Sequence, residues 1–315
     1  MYQKFFGLKE SPFNANPDPR YLFMTKQIQE ALAGLTYGIQ NRKGFILLTG
    51  EVGTGKTTLL NRLLDWLRGQ KVSTAYIFNS RLEVDHLFDF MMAEFEIPCK
   101  SRDKSQVLMR LNQWLLDRYR AGETAVLIVD EAQNLSPEVL EEIRLLTNLE
   151  TSTEKLLQIV LTGQPELEEK LKLPELRQLR QRITLRCRTA ALSQEETFGY
   201  VAERLRIAGA NGEPIFSKEA IQTAYTYSRG IPRVINLLCE HALINSYVDS
   251  LRPVPAQTVE AVAQEFQLDE IAPVAPVRLA SPERALDTQA LLSNLDELLG
   301  RLRQVNTLAS RERKS

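Results

Sequence analysis

The stretch GEVGTGKT, residues 50 to 57, narrows the folds open to this chain more than any other feature. It fits G-x-x-x-x-G-K-[ST], with the apolar run FILLT before it and the helix-periodic TTLLNRLLDWLRG overlapping its end. A glycine-rich turn between a strand and a helix lets successive backbone N–H groups curl around a polyphosphate, and the pattern carries meaning only in that context. Gly50, Gly53 and Gly55 give the turn its backbone freedom, and Glu51, Val52 and Thr54 complete the run of N–H groups. The helix that opens at Thr58 adds its positive end. Lys56 is expected to reach the β- and γ-phosphates and Thr57 to offer its hydroxyl to Mg²⁺. The expected ligands are therefore ATP and Mg²⁺.

A second stretch, AVLIVDEAQ at 125–133, places two carboxylates at the C-terminal end of a buried strand. Ligands of open α/β sheets collect at that edge. Asp130 is expected to hold the metal, directly or through water, and Glu131 to polarise a water for attack, which is general-base work. A chain that only binds nucleotide as a switch does not need the second carboxylate, so its presence argues for hydrolysis. Further on, LLQIVLTGQPEL ends in Thr162 and Gln164, either of which can hydrogen-bond the γ-phosphate or the attacking water. Gln164 before Pro165 can equally be a turn former. LRQLRQRITLR then concentrates arginine, and Arg180 and Arg182 are candidates for an arginine supplied to a neighbouring subunit's ATP.

Five strand-like runs punctuate the first 190 residues: 44–49, 73–78, 125–130, 156–162 and 182–187. They are continuous apolar or β-branched runs alternating with amphipathic helical stretches, the signature of a parallel sheet covered on both faces. After residue 190 only helical periods remain, with Ser193 and Glu196 forming a capping box and Ser217 a cap. The expected organisation is an αβα domain over 1–190, a helical lid over 191–268, a proline-rich linker over 269–284 and a short helix over 285–315. In that last segment Leu292, Leu295, Leu299 and Leu302 form a short seam that either docks on the chain's own body or joins a partner.

The 39 basic and 40 acidic residues nearly cancel, so charge neither demands nor forbids a nucleic-acid partner. No apolar run approaches the ~18 residues of a membrane helix. The N-terminus, MYQKFFGLKESPF, lacks the apolar core of a signal peptide. Cys99, Cys187 and Cys239 have no CxxC spacing, which fits a reducing cytosol. His86 and His241 both sit in helical patterns and read as packed or surface residues.

The order of these features resembles the AAA+ ATPases, which carry a phosphate loop, an acidic pair on the third strand, a polar sensor on the fourth and an arginine before the fifth. In that family a lid arginine reaches the γ-phosphate, a role the resemblance gives to Arg233 in RGIPRVIN. This also accounts for a cation in the first turn of a helix, where anions are ordinarily preferred. The N-terminal block 2–39, with VDEAQNLSPEVLEEIRLLTNLET, LTGQPEL and GIPRVIN, is similar to the general secretion pathway A branch, which is close to ATPases that regulate transposition.

The resemblance implies a five-stranded parallel sheet with a helical lid, and a homo-oligomer, ring or filament, that hydrolyses ATP for an envelope-assembly system. It places the chain in the cytoplasm, peripheral to the inner membrane through its partners, with the C-terminal helix as a point of attachment. It also implies that the segment from Tyr21 to Tyr37 flanks the adenine, although Ile28 stands where many relatives carry histidine. Secretion members continue into a membrane helix and a peptidoglycan-binding module, neither of which is expected here. The competing expectations are a DNA-associated regulator, with Arg177, Arg180, Arg182, Arg186 and Arg188 tracking phosphates, and a nucleotide-gated scaffold.

Overall fold

The computed structural model describes residues 1–78, 82–98 and 103–268. The expected linker, the C-terminal helix and Cys99 lie outside the described residues. Strands β1 (Phe45–Thr49), β2 (Val72–Ile77), β3 (Thr124–Val129), β4 (Leu157–Gly163) and β5 (Ile183–Arg188) pair in the order β2-β3-β4-β1-β5. Every pairing is parallel.

Because side chains alternate across a strand, the apolar run of β1 serves both faces. Phe45 and Leu47 enter the cluster beneath α4 (Val84–Glu94), α5 (Lys104–Arg120) and α6 (Pro137–Leu146). Ile46 and Leu48 enter the opposite cluster, beneath α2 (Lys26–Gln40) and α3 (Lys56–Arg68). Full burial of such side chains contributes roughly 1.5–3 kcal/mol each. Two short helices, α7 (Pro165–Lys170) and α8 (Arg177–Arg182), connect β4 to β5, and α1 (Tyr2–Phe6) opens the chain.

Helix α2 starts at Thr25, whose hydroxyl accepts the Ile28 N–H, and it lies unusually close to the sheet. A Cβ at Gly38 would fall 2.5 Å from Ile46 Cδ1 and 2.7 Å from Leu185 Cδ1, so a larger residue there must push those side-chain ends aside.

The lid comprises α9 (Gln194–Ile207), α10 (Lys218–Ser228), α11 (Pro232–Val248) and α12 (Ala256–Glu265). Ser193 and Glu196 close the capping box at α9, and Ser217 caps α10. The lid core also takes in Tyr2, Phe6, Leu8 and Phe13, so the N-terminal segment packs with the helices rather than with the sheet. One turn joins the two parts. Gly230 has φ +77°, and a Cβ there would lie 1.9 Å from the Leu192 carbonyl oxygen. The Gly230 carbonyl accepts the Leu192 N–H at 2.8 Å, which fixes the turn between the lid's second and third helices to the segment that follows β5.

Candidate functional site

The register aligns the C-terminal ends of β1, β3 and β4, with Leu48 opposite Thr162 and Val129 opposite Leu161. A cavity of about 770 Å³ opens beside that edge, between the loop after β1, the segment 13–28 and the inner face of α11. This is the size range of small-molecule and cofactor sites.

Residues 52–58 line the cavity, and the loop 50–57 is already shaped. Lys56 Nζ donates to the carbonyls of Gly50 at 2.7 Å and Glu51 at 3.0 Å. Burial lowers the pKa of this ammonium, while Glu131 and Asp130 work in the other direction. Thr54 Oγ1 donates to the Glu51 carbonyl at 2.7 Å, so its contact with Thr189 Oγ1, also 2.7 Å, takes its proton from Thr189. A Cβ at Gly50 would stand 2.1 Å from Thr189 Oγ1, which is why the first position of the loop is glycine. Gly53, at φ +80°, accepts the Arg233 N–H at 3.2 Å. The loop 50–57 and the first turn of α11 therefore share a hydrogen bond. Thr57 presents its exposed hydroxyl on the cavity wall.

The acidic pair is held differently at its two members. Asp130 is buried; its Oδ2 accepts the Tyr76 O–H and its Oδ1 the Glu131 N–H, both at 2.9 Å. Burial raises its pKa against the pull of those two bonds and of Lys56. Glu131 occupies left-handed backbone, φ 52° and ψ 37°, a conformation that costs a non-glycine residue on the order of 1 kcal/mol or more. Its Oε2 accepts from Gln133 Nε2 at 2.5 Å and from Gln164 Nε2 at 3.2 Å. Gln133 Oε1 accepts the Gln164 N–H at 3.1 Å, so the two amides form one clamp on the carboxylate.

Of the residues expected from sequence, Val52 through Thr58, Glu131 and Arg233 line the cavity together. Gln164 reaches it through Glu131. Thr162 is fully buried beside β1, and its hydroxyl has no partner among the described residues. Arg182 stands apart, its guanidinium bonded to Thr147 and Asn148. Arg180 is exposed, and its guanidinium makes no hydrogen bond or ion pair among the described residues. Of the segment 21–37, Tyr21, Leu22 and Ile28 line the cavity, whereas Tyr37 is half exposed and does not.

Tyr76, Gln133, Thr189 and residues 13–18 also shape the site and were not expected from the sequence. Gln133 alone had a signal, its place two residues after Glu131. The others are brought in by tertiary packing.

Residues 39–171 match the AAA domain family. Over 266 residues the chain is 46% identical to general secretion pathway protein A of Aeromonas hydrophila, covering 84% of this chain and 48% of that protein. The chain thus spans about half the length of this curated relative. Among solved structures, Cdc6p of Pyrobaculum aerophilum aligns with a TM-score of 0.63 at 18% identity, over 81% of this chain and 70% of that one. Drosophila ORC bound to DNA aligns at 0.64 and 19%, over 84% and 66%. These two likenesses establish the fold. No described helix is long and apolar enough to cross a membrane.

Proposed function

We propose that this chain, whose residues 39–171 match the AAA domain family and which is similar to general secretion pathway protein A, hydrolyses ATP to ADP and phosphate to drive assembly in a cell-envelope secretion system. The observation that carries the hydrolytic half is the clamp on Glu131. A carboxylate fixed by two amide donors at the sheet edge, on the cavity wall, is a base set in position before the substrate arrives.

In this reading the loop N–H groups and Lys56 receive the phosphates, Lys56 exchanging its bonds to Gly50 and Glu51 for phosphate oxygens. Thr57 and Asp130 offer hard oxygen donors of the kind Mg²⁺ takes, and Thr57 Oγ1 faces the cavity without another partner among the described residues. Thr57 and Asp130 would hold the ion, which when bound would neutralise charge on the β- and γ-phosphates. Glu131 accepts a proton from the attacking water as its oxygen bonds to the γ-phosphorus and the bond to the β–γ bridging oxygen breaks. Arg233, exposed and unpaired among the described residues, stands at the loop to meet the phosphates.

The test measures nucleotide binding and phosphate release separately. Lys56→Ala is expected to lose both, and Glu131→Gln to keep binding while turnover falls about 10²–10⁴-fold. A Glu131→Gln protein with full turnover would remove Glu131 from the role of base. For the secretion half, partners recovered from a host that carries the system should be envelope components and should depend on Lys56.

The DNA-associated alternative draws on the arginines near β5, and the geometry weakens it. Arg188 is paired with Glu168 at 2.6 Å and Arg182 is bonded internally, which leaves Arg177, Arg180 and Arg186 as exposed cations. Three contacts would give a shallow salt dependence.

A further inference from the structure

The cavity face of α11 carries Asn236 one turn beyond Arg233. Its amide is oriented by Tyr200 and Arg204, which line the cavity beside it. Arg204 Nη1 lies 2.9 Å from the Tyr200 hydroxyl oxygen, and a guanidinium only donates. The single phenolic proton therefore goes to the other neighbour, Asn236 Oδ1, at 2.7 Å.

Arg204 cannot swing away to release this arrangement. It also donates to the carbonyls of Pro12 and Asn14, and its guanidinium lies 4.5 Å from the Tyr21 ring centre. Burial pushes the Tyr200 phenol up, so it remains a donor. With Oδ1 committed to Tyr200, the amide NH₂ of Asn236 points elsewhere and has no acceptor among the described residues. A donor held in one orientation by a buried network binds an acceptor with little ordering cost.

Its place along the helix selects which part of a nucleotide it meets. The Arg233 N–H is bonded to Gly53 of the phosphate loop, and three residues advance a helix by about 4.5 Å. We propose that Asn236 Nδ2 donates to an acceptor on the nucleoside side of the β-phosphate, an α-phosphate oxygen or the purine N7, with Tyr200 as the residue that positions it. This rests on the nucleotide-binding reading of the cavity.

Titration calorimetry with ADP on the full chain tests it. Asn236→Asp keeps an acceptor for Tyr200 and removes the donor; ADP affinity is expected to fall about tenfold with the melting temperature unchanged. Tyr200→Phe adds no charge and leaves the amide free to turn, so affinity is expected to fall about threefold or more. The double variant is expected to bind no more weakly than Asn236→Asp alone, because both act through one bond. With 7-deaza-ADP, disappearance of the Asn236→Asp loss identifies N7, and an equal loss identifies the α-phosphate.

Wild-type affinity in either single variant overturns the proposal; in Tyr200→Phe it would leave only charge repulsion to explain the aspartate. Additive losses overturn it as well, since Tyr200 would then touch the nucleotide itself. Wild-type protein that binds ADP no better than Lys56→Ala overturns the nucleotide reading and this proposal together. Clear wild-type binding with unaffected variants overturns this one alone.

Discussion

Asp130 and Glu131 are neighbours in sequence under opposite constraints, and each constraint has a measurable cost. Asp130 is a carboxyl group buried at the sheet edge with its pKa raised, mainly by that burial. A raised carboxyl pKa favours the folded state at acid pH, and that advantage is lost as pH rises through the folded-state value. Asp130→Asn is therefore expected to raise the melting temperature of the nucleotide-free protein at neutral pH, by about 2–4 °C for each kcal/mol relieved. The gap from wild type should close as pH falls and Asp130 takes up its own proton. A scanning-fluorimetry series across pH checks both the sign and the closing. Glu131 sits in strained backbone and is held by Gln133 and Gln164. Gln133→Ala is expected to lower turnover about tenfold or more with ATP affinity retained, because the clamp orients the base and does not face the phosphates. Steady-state kinetics beside equilibrium binding separates the two. At this scale the sequence was legible where chemistry is written contiguously, as in GEVGTGKT and DEAQ. Tyr76 was illegible because its bond to Asp130 spans 54 positions and depends on the pairing of β2 with β3.

Among the elements, the junction of loop and lid concentrates the strongest constraints. Gly230 combines φ +77° with a backbone oxygen where a Cβ would go, so Gly230→Ala must displace the chain at Leu192. Its cost is expected to exceed about 2 kcal/mol, read as a lower denaturation midpoint. Ser193→Ala removes a capping box and is expected to cost about 1 kcal/mol by the same measurement. Each of the five strands lies within one residue of its expected span, because a strand buried on both faces shows as an unbroken apolar run. The N-terminal segment was less legible. FFGL and SPF are short apolar groups without period, and only the packing shows Phe6 and Phe13 inside the lid cluster. Arg233 drew notice as a cation in a helix's first turn, and the first turn of α11 is where the lid touches the phosphate loop.

For the whole molecule, the arginines before β5 bear on whether one copy completes its own site. Arg182 is bonded to Thr147 and Asn148 within its own chain, whereas Arg180 is exposed and unpaired among the described residues. If an arginine acts in trans, Arg180→Ala is expected to lower turnover about 10³-fold with ATP affinity kept. Mixing it with Lys56→Ala protein should restore part of the activity, and Arg182→Ala should lower thermal stability instead. Because the Gly53 carbonyl is bonded to the Arg233 N–H, the lid cannot shift without disturbing the loop 50–57, to which we assign the phosphates. Binding free energies at two coupled sites are reciprocal. Any molecule that grips α9 to α12 and alters their seat is thus an effector of nucleotide affinity. ATP must in turn change that molecule's affinity by the same factor, so a partner of the lid can be sought by its sensitivity to nucleotide alone.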